Sequence, residues 1–275
     1  MSKAPFTTNK MYEMIYRFPE QMEKAENIGK QYSPRNNYSG IKKILFAGMG
    51  GSAIGGDLIR VLIQDDLMIP LIVIRDYFLP KWADESTLVL CSSYSGNTEE
   101  TLSIYSSAKE KNCRVAGIST GGELSSSLIA DGFDFIKIPT GYQPRAALGL
   151  SFIPILYLLN KMQLISGNIL SEISNSIARI YEKRELYSQP EEINPTYHLA
   201  KDINGKIPVM IGSALKTEVI ARRWKGQFCE NSKIVAFHNE LPEMNHNEVE
   251  GWGNITDFTK YFSLIWLVDN DDYER

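Results

Sequence analysis

Apolar and polar positions recur along this chain in two periods, one near 3.6 residues and one made of short apolar runs, and the two take turns. Over residues 9–28 the apolar side chains Met11, Ile15, Phe18 and Met22 stand at roughly helical spacing, which predicts an N-terminal helix interrupted or kinked at Pro19. Residues 32–40 carry Pro34, two asparagines and a glycine and read as a loop. Regular alternation follows. Strands are predicted over 44–48, Leu71–Ile74, Thr87–Ser92, Arg114–Ser119 and 133–138, and helices over 53–63, 98–111 and 123–130. Two long helices are predicted over 145–162 and 170–187. Strand and helix alternating at this period imply an α/β fold with a parallel sheet covered by helices on both faces, three layers in all.

A second start comes near Pro195, with a helix over 198–203, strands over 207–211, 233–237 and 261–268, and a helix over 217–228. The stretch PVMIGSALKTEVIARRW echoes ILFAGMGGSAIGGDLIR as strand, Gly-Ser turn and helix, a weak internal duplication. The expected organisation is an N-terminal helical segment (1–37), a first domain (38–160), a helical connection (161–194) and a second domain (195–275). The second domain is short and is expected to be incomplete, because the last residues, Asp272-Tyr273-Glu274-Arg275, follow directly on a strand. It is expected to leave apolar surface and a sheet edge uncovered, with a mobile region after about Asn254.

Composition narrows the function classes. With 275 residues, 43% of them hydrophobic, the chain is long enough for two cores. The net charge of −4 and the lack of a Lys/Arg run argue against nucleic acid as the main partner. An anionic substrate remains open, since helix-start amides and hydroxyls hold phosphate without a basic surface. Cys91, Cys113 and Cys229 form no CxxC pair, which points to a reducing compartment. The N-terminus has no signal-peptide core, and no apolar run reaches membrane-spanning length, so a cytoplasmic protein without membrane association is expected.

Four segments carry candidate chemistry. Gly48-Met49-Gly50-Gly51-Ser52-Ala53 joins a strand to a helix and suits a close-approaching anion. It also fits the dinucleotide pattern GxGxxA, with Asp76 placed where a ribose-binding acid would stand, so a nucleotide-dependent oxidoreductase is an alternative. A purely structural glycine turn is a third reading. The run Cys91-Ser92-Ser93-Tyr94-Ser95-Gly96-Asn97-Thr98 sets hydroxyls around a second strand-to-helix turn. N-capping explains one or two of them; the whole cluster, led by Ser93, Ser95 and Thr98, suits a phosphate monoester. That second turn has no special use in a dinucleotide enzyme and favours a sugar phosphate.

Arg145, after Pro144, opens a predicted helix; a surface arginine is the bland alternative to one that faces a pocket and stabilises an enediolate. Glu230 ends a helix, where the dipole does not favour an acid. His246 lies in a polar stretch read as a loop and can titrate near neutrality, whereas His198 and His238 read as structural. No histidine pair has metal-ligand spacing, and no metal is expected.

Together AGMGGSAIGGDL, SSYSGNTEETL, GYQPRAALG, FCENSK and ELPEMNHNEVEGW resemble the bifunctional phosphoglucose/phosphomannose isomerase family of the sugar isomerase (SIS) domain superfamily, from about Ile41 to Val268. The resemblance implies two SIS domains, each a five-stranded parallel sheet flanked by helices, in a homodimer. It implies reversible interconversion of glucose 6-phosphate or mannose 6-phosphate with fructose 6-phosphate, with no cofactor. By position Gly50, Gly51 and Ser52 would line the substrate site, and Ser93, Ser95 and Thr98 would bind the phosphate. Arg145 would stand beside the reacting carbons, Glu230 would be the general base, and His246 would open the sugar ring, reaching across the twofold axis. Members of the family usually continue past the equivalent of Arg275 and there supply a lysine and a threonine or similar residue, so weak or absent activity is expected of this chain. A non-catalytic sugar-phosphate-binding SIS protein is the other alternative.

Overall fold

The computed structural model describes residues 9–253 and 257–270. The chain divides into two compact units, Met1–Arg184 and Glu185–Arg275. The expected mobile region after about Asn254 lies in part outside the described residues.

The first unit runs α1 (Lys10–Tyr16), α2 (Phe18–Gln31), β1 (Lys43–Ala47), α3 (Gly50–Leu62), β2 (Leu71–Ile74), β3 (Thr87–Ser92), α4 (Glu99–Glu110), β4 (Arg114–Ser119), α5 (Gly122–Ala130), β5 (Asp134–Lys137), α6 (Leu148–Lys161) and α7 (Asn168–Tyr187), the last reaching into the second unit. All strand pairs are parallel, in the order β2-β1-β3-β4-β5. Successive side chains of β1 enter opposite cores, as the two-residue period of a strand requires. Ile44 and Phe46 join the core that includes Ile59 of α3 and Leu150 and Ile153 of α6, while Leu45 and Ala47 join the one under α4 and α5. The three-layer α/β architecture is therefore present in this unit.

Helix α6 buries eleven of its fourteen residues and is the hub of its layer. Glycine lets α2 approach it: a Cβ built at Gly29 would lie 2.5 Å from the Tyr157 ring. The first helix breaks at Arg17 rather than at Pro19. Pro19 occupies the second position of α2, where its missing N–H costs nothing because first-turn amides have no intrahelical acceptor. The loop expected over residues 32–40 is present and is tied to β5 by Asp134. Its buried carboxylate accepts from the Tyr32 and Tyr38 hydroxyls at 2.7 and 2.8 Å and from the amides of Arg35 and Asn36 at 2.8 and 3.0 Å.

The second unit contains α8 (Pro195–Ile203), β6 (Ile207–Ser213), α9 (Glu218–Gln227), β7 (Phe237–Leu241), α10 (Met244–Asn247), α11 (Val249–Gly253) and β8 (Phe262–Leu267). Among the described residues its sheet has three parallel strands in the order β7-β6-β8. Two expectations need correction. The strand expected over 233–237 begins instead at Phe237. The preceding residues are spent in a π-helical turn, Phe228–Ser232, and in Lys233, whose φ of 60° reverses the chain, so pairing with Val209 starts only at Phe237. His246 lies in α10 and not in a loop, its amide bonded to the Glu243 carbonyl at 2.9 Å.

No helix among the described residues is long and apolar enough to cross a membrane.

Candidate active site

β1 and β3 are neighbours, but the chain leaves β1 toward β2 on one side and β3 toward β4 on the other. At such a reversal of strand order the loops after the two strands diverge and leave a crevice at their carboxyl ends. The two strand-to-helix segments singled out from sequence are the loops after β1 and β3, so Gly50, Gly51, Ser52, Ser93, Ser95 and Thr98 share one end of one sheet.

Within the hydroxyl loop the roles divide. Ser93 is buried; its Oγ pairs with Thr98 Oγ1 at 2.8 Å and accepts from the Gly96 amide at 3.0 Å, which closes the turn. Ser95 is exposed and Thr98 half-buried. Thr98 is the N-cap residue of α4 yet makes no side-chain cap, so its hydroxyl leaves the first-turn amides of that helix to other acceptors. Asn97, by contrast, is a structural cap: its Oδ1 accepts from the Glu123 amide of α5 at 2.9 Å. Ser52, buried, accepts from the Tyr94 amide at 3.3 Å and joins the two loops.

The glycines of the first loop have reasons in packing. A Cβ at Gly48 would lie 3.0 Å from the Ser92 carbonyl oxygen, and one at Gly51 would lie 2.8 Å from that of Pro144. Gly51 therefore admits the backbone of the arginine turn. The Asp76 carboxylate accepts from the Tyr77 amide at 2.6 Å.

Arg145 lies half-buried in a 3-10 turn, Pro144–Ala146, that precedes α6, and not inside one continuous helix over 145–162. The turn is clamped by buried Gln21, which donates to the Ala146 carbonyl at 2.7 Å and accepts from the Gly149 amide at 3.0 Å.

In the second unit Glu230 sits in the π-helical turn that ends α9. Such turns are rare and are frequent at functional sites. The carboxylate is exposed and in electrostatic reach of Arg223, whose guanidinium is pushed down to about 10 by desolvation, with the Glu230 charge acting in the opposite direction. His246 is exposed in α10. The His198 ring meets the Glu192 carbonyl at 3.0 Å, and desolvation with nearby Arg222 and Lys225 holds His238 below the usual histidine range. Among the described residues no three His, Cys, Asp or Glu are grouped to hold a metal ion.

Residues 192–275 match the family model of the bacterial phospho-glucose isomerase C-terminal SIS domain. The chain is 46% identical over 267 residues to the bifunctional phosphoglucose/phosphomannose isomerase of Caldicellulosiruptor bescii, spanning 96% of this chain and 78% of that protein. It is 35% identical over 266 residues to the protein of that name from Aquifex aeolicus, spanning 96% and 77%.

This chain belongs to the bifunctional phosphoglucose/phosphomannose isomerase family.

Its fold is also that of the C-terminal domain of glucosamine-fructose-6-phosphate aminotransferase from Francisella tularensis, with a TM-score of 0.71 at 16% identity over 98% of this chain and 79% of that one. Members of the isomerase family thus share a fold with a protein of different name, so fold alone does not single out the reaction.

Three supports of the site escaped the sequence reading. Gln21 is drawn from a helix whose pattern reports only amphipathicity. Tyr94 reads as one aromatic among hydroxyls. The turn Ser119-Thr120-Gly121-Gly122 carries the hydroxyl loop, with the Thr120 Oγ1 donating to the Tyr94 carbonyl at 2.8 Å and a Cβ at Gly96 falling 1.8 Å from the Gly121 oxygen. The adjacent glycines at 121 and 122 were the available signal for that close approach.

Proposed function

We propose that this chain interconverts glucose 6-phosphate or mannose 6-phosphate with fructose 6-phosphate. The observation that carries the proposal is the hydroxyl loop at a helix start that its own N-cap leaves open, beside the reversal of strand order, in a member of this isomerase family. Ser95, Thr98 and the first amides of α4 hold the phosphate, with Ser93 fixing their turn and Gly50, Gly51 and Ser52 lining the sugar's side. His246 gives a proton to the ring oxygen as the C1–O5 bond breaks. Glu230 takes the C2 proton of the open aldose and returns it to C1, while a proton moves from O2 to O1. Arg145 stabilises the negative charge of the cis-enediolate between these steps. The chain works as a cytoplasmic homodimer in which each subunit lends His246 to its partner.

A coupled assay with glucose 6-phosphate and mannose 6-phosphate tests the activity. Glu230→Gln keeps the shape and removes the base, so kcat is expected to fall roughly 10²-fold or more with KM nearly unchanged. Glu230→Gln and His246→Ala dimers, unfolded and refolded together, are expected to regain roughly a quarter of wild-type turnover, because about half the dimers are mixed and each has one intact site. Undiminished turnover of Glu230→Gln would remove that residue as the base, and no recovery in proven mixed dimers would place His246 in its own subunit's site.

A further inference from the structure

Tyr94 receives hydrogen bonds from, or gives them to, three separate segments. Its amide donates to Ser52 Oγ at 3.3 Å. Its carbonyl accepts from the Thr120 amide at 3.0 Å and from Thr120 Oγ1 at 2.8 Å. Its phenol oxygen accepts from the Tyr142 amide at 2.9 Å and donates to the Pro139 carbonyl at 3.2 Å. The backbone of Tyr94 is thus fixed in the hydroxyl loop, and its side-chain tip brackets residues 139–142, the stretch that leads into the Arg145 turn.

We propose that Tyr94 is a positioning residue that sets where Arg145 stands relative to the phosphate hydroxyls, acting through the two bonds of its phenol to the 139–142 stretch.

This rests on the sugar-phosphate reading of the same site. The ring packs against the α6 core, a task phenylalanine would perform equally well. The hydroxyl is what an apolar filler would lack, and here its single proton and one lone pair are both committed to the backbone leading to Arg145. Burial pushes the phenol up from its ordinary value, which favours the protonated, donating form. Gly141, at φ 98°, turns the chain between the two bonded groups, so the bracket spans a turn that a side chain holds from outside. Among the restraints on the arginine turn, Gly51 lies in α3, Gln21 in α2 and Met14, whose Sδ accepts from the Gln143 amide at 3.5 Å, in α1, whereas Tyr94 belongs to the hydroxyl loop itself. Placing an electrostatic group a fraction of an ångström wrong costs turnover more than binding, because its charge partner exists only along the reaction path.

The test is Tyr94→Phe in wild-type and Arg145→Ala backgrounds, read in the coupled assay and by amide exchange. We expect Tyr94→Phe to lower kcat about 10-fold with KM changed less than 3-fold, and to have no further effect once Arg145 is alanine. Tyr105→Phe, which removes a phenol bonded to Asp131 elsewhere in the unit, is expected to leave kcat unchanged. The Tyr142 amide is expected to exchange about 10-fold faster in Tyr94→Phe, with the β1 amides unaffected. Undiminished kcat, or the same fold loss in both backgrounds, would overturn the positioning role. If the wild-type chain turns over neither sugar phosphate, the activity proposal fails, and an unchanged Tyr142 exchange rate would separately overturn the bracket.

Discussion

At the scale of single residues, Gly51 has no room for a side chain, and what would be struck is backbone. A Cβ there would lie 2.8 Å from the Pro144 oxygen and 3.5 Å from the Arg145 amide, so Gly51→Ala has to displace the arginine turn. We expect a loss of about 1–3 kcal/mol in stability, as for other overpacked sites, and a fall in kcat that exceeds any change in KM. Gly226→Ala is the matched control: it lies inside α9 with nothing within 4 Å of the new methyl, and should raise the melting temperature through the ordinary helix preference for alanine. Thermal melts and steady-state assays of the two variants check this; equal behaviour would dismiss the contact with Pro144. The hydroxyls of the candidate phosphate loop were legible because side-chain chemistry is carried by the letter itself. Their division of labour was not. Ser93 turned inward to accept from the Gly96 amide and Asn97 stayed at the surface to accept from the Glu123 amide, and those pairings depend on where β3, β4 and α5 meet.

At the scale of elements, the second sheet illustrates how one side chain joins two strands. Thr217 Oγ1 accepts from the Ser213 amide at the end of β6 at 2.8 Å and donates to the Leu267 carbonyl at the end of β8 at 2.6 Å. Gly212 makes the fold-back possible, since a Cβ there would lie 2.6 Å from the Thr217 carbonyl carbon. Thr217→Val keeps the volume and leaves both partners without Oγ1. A cost of about 1–3 kcal/mol is expected, together with faster amide exchange along β8 than along β7. Uniform change across the sheet would dismiss the local stitch. β6 was legible because a parallel strand buried on both faces reads as an apolar run, and β8 because its residues are mostly apolar although Leu264 and Trp266 are exposed. The exception was β7. The apolar run 233–237 resembles a strand, but Ile234 and Val235 are exposed and the polar FHNEL pairs instead. The π-helical turn delays pairing, and no periodicity reports a turn with an extra residue.

At the scale of the whole molecule, two buried carboxylates tie helix and loop to the first unit's core, and both give its stability a pH dependence of known sign. Burial pushes the Asp134 carboxyl up, but the Arg35 amide and the Tyr32, Asn36 and Tyr38 donors outweigh it and leave it below its usual range. Glu26 is likewise raised by burial and lowered further by Lys30, Ser174 and Tyr157. A carboxyl whose folded pKa lies below its unfolded one adds stability that is fully present above the unfolded value, about 4, and is lost as pH falls through the folded value. The urea midpoint is therefore expected to fall between pH 5 and pH 3, and Asp134→Asn to lower it at pH 7 while flattening that fall. Parallel pH profiles for variant and wild type would exclude Asp134 as a source. By itself the sequence determined the α/β class, most strands and helices, and the chemical character of the hydroxyl loop, because periodicity and residue type are local properties. Tertiary structure alone decided which groups hold the loops and the site in place. Asp134 meets the 32–38 loop, Gln21 meets Ala146, and Tyr94 meets Tyr142, across about 50 to 130 residues of chain. A backbone donor takes whatever acceptor the packing brings to it, and the packing is set by parallel strand order and helix layering, which no single stretch of the chain encodes.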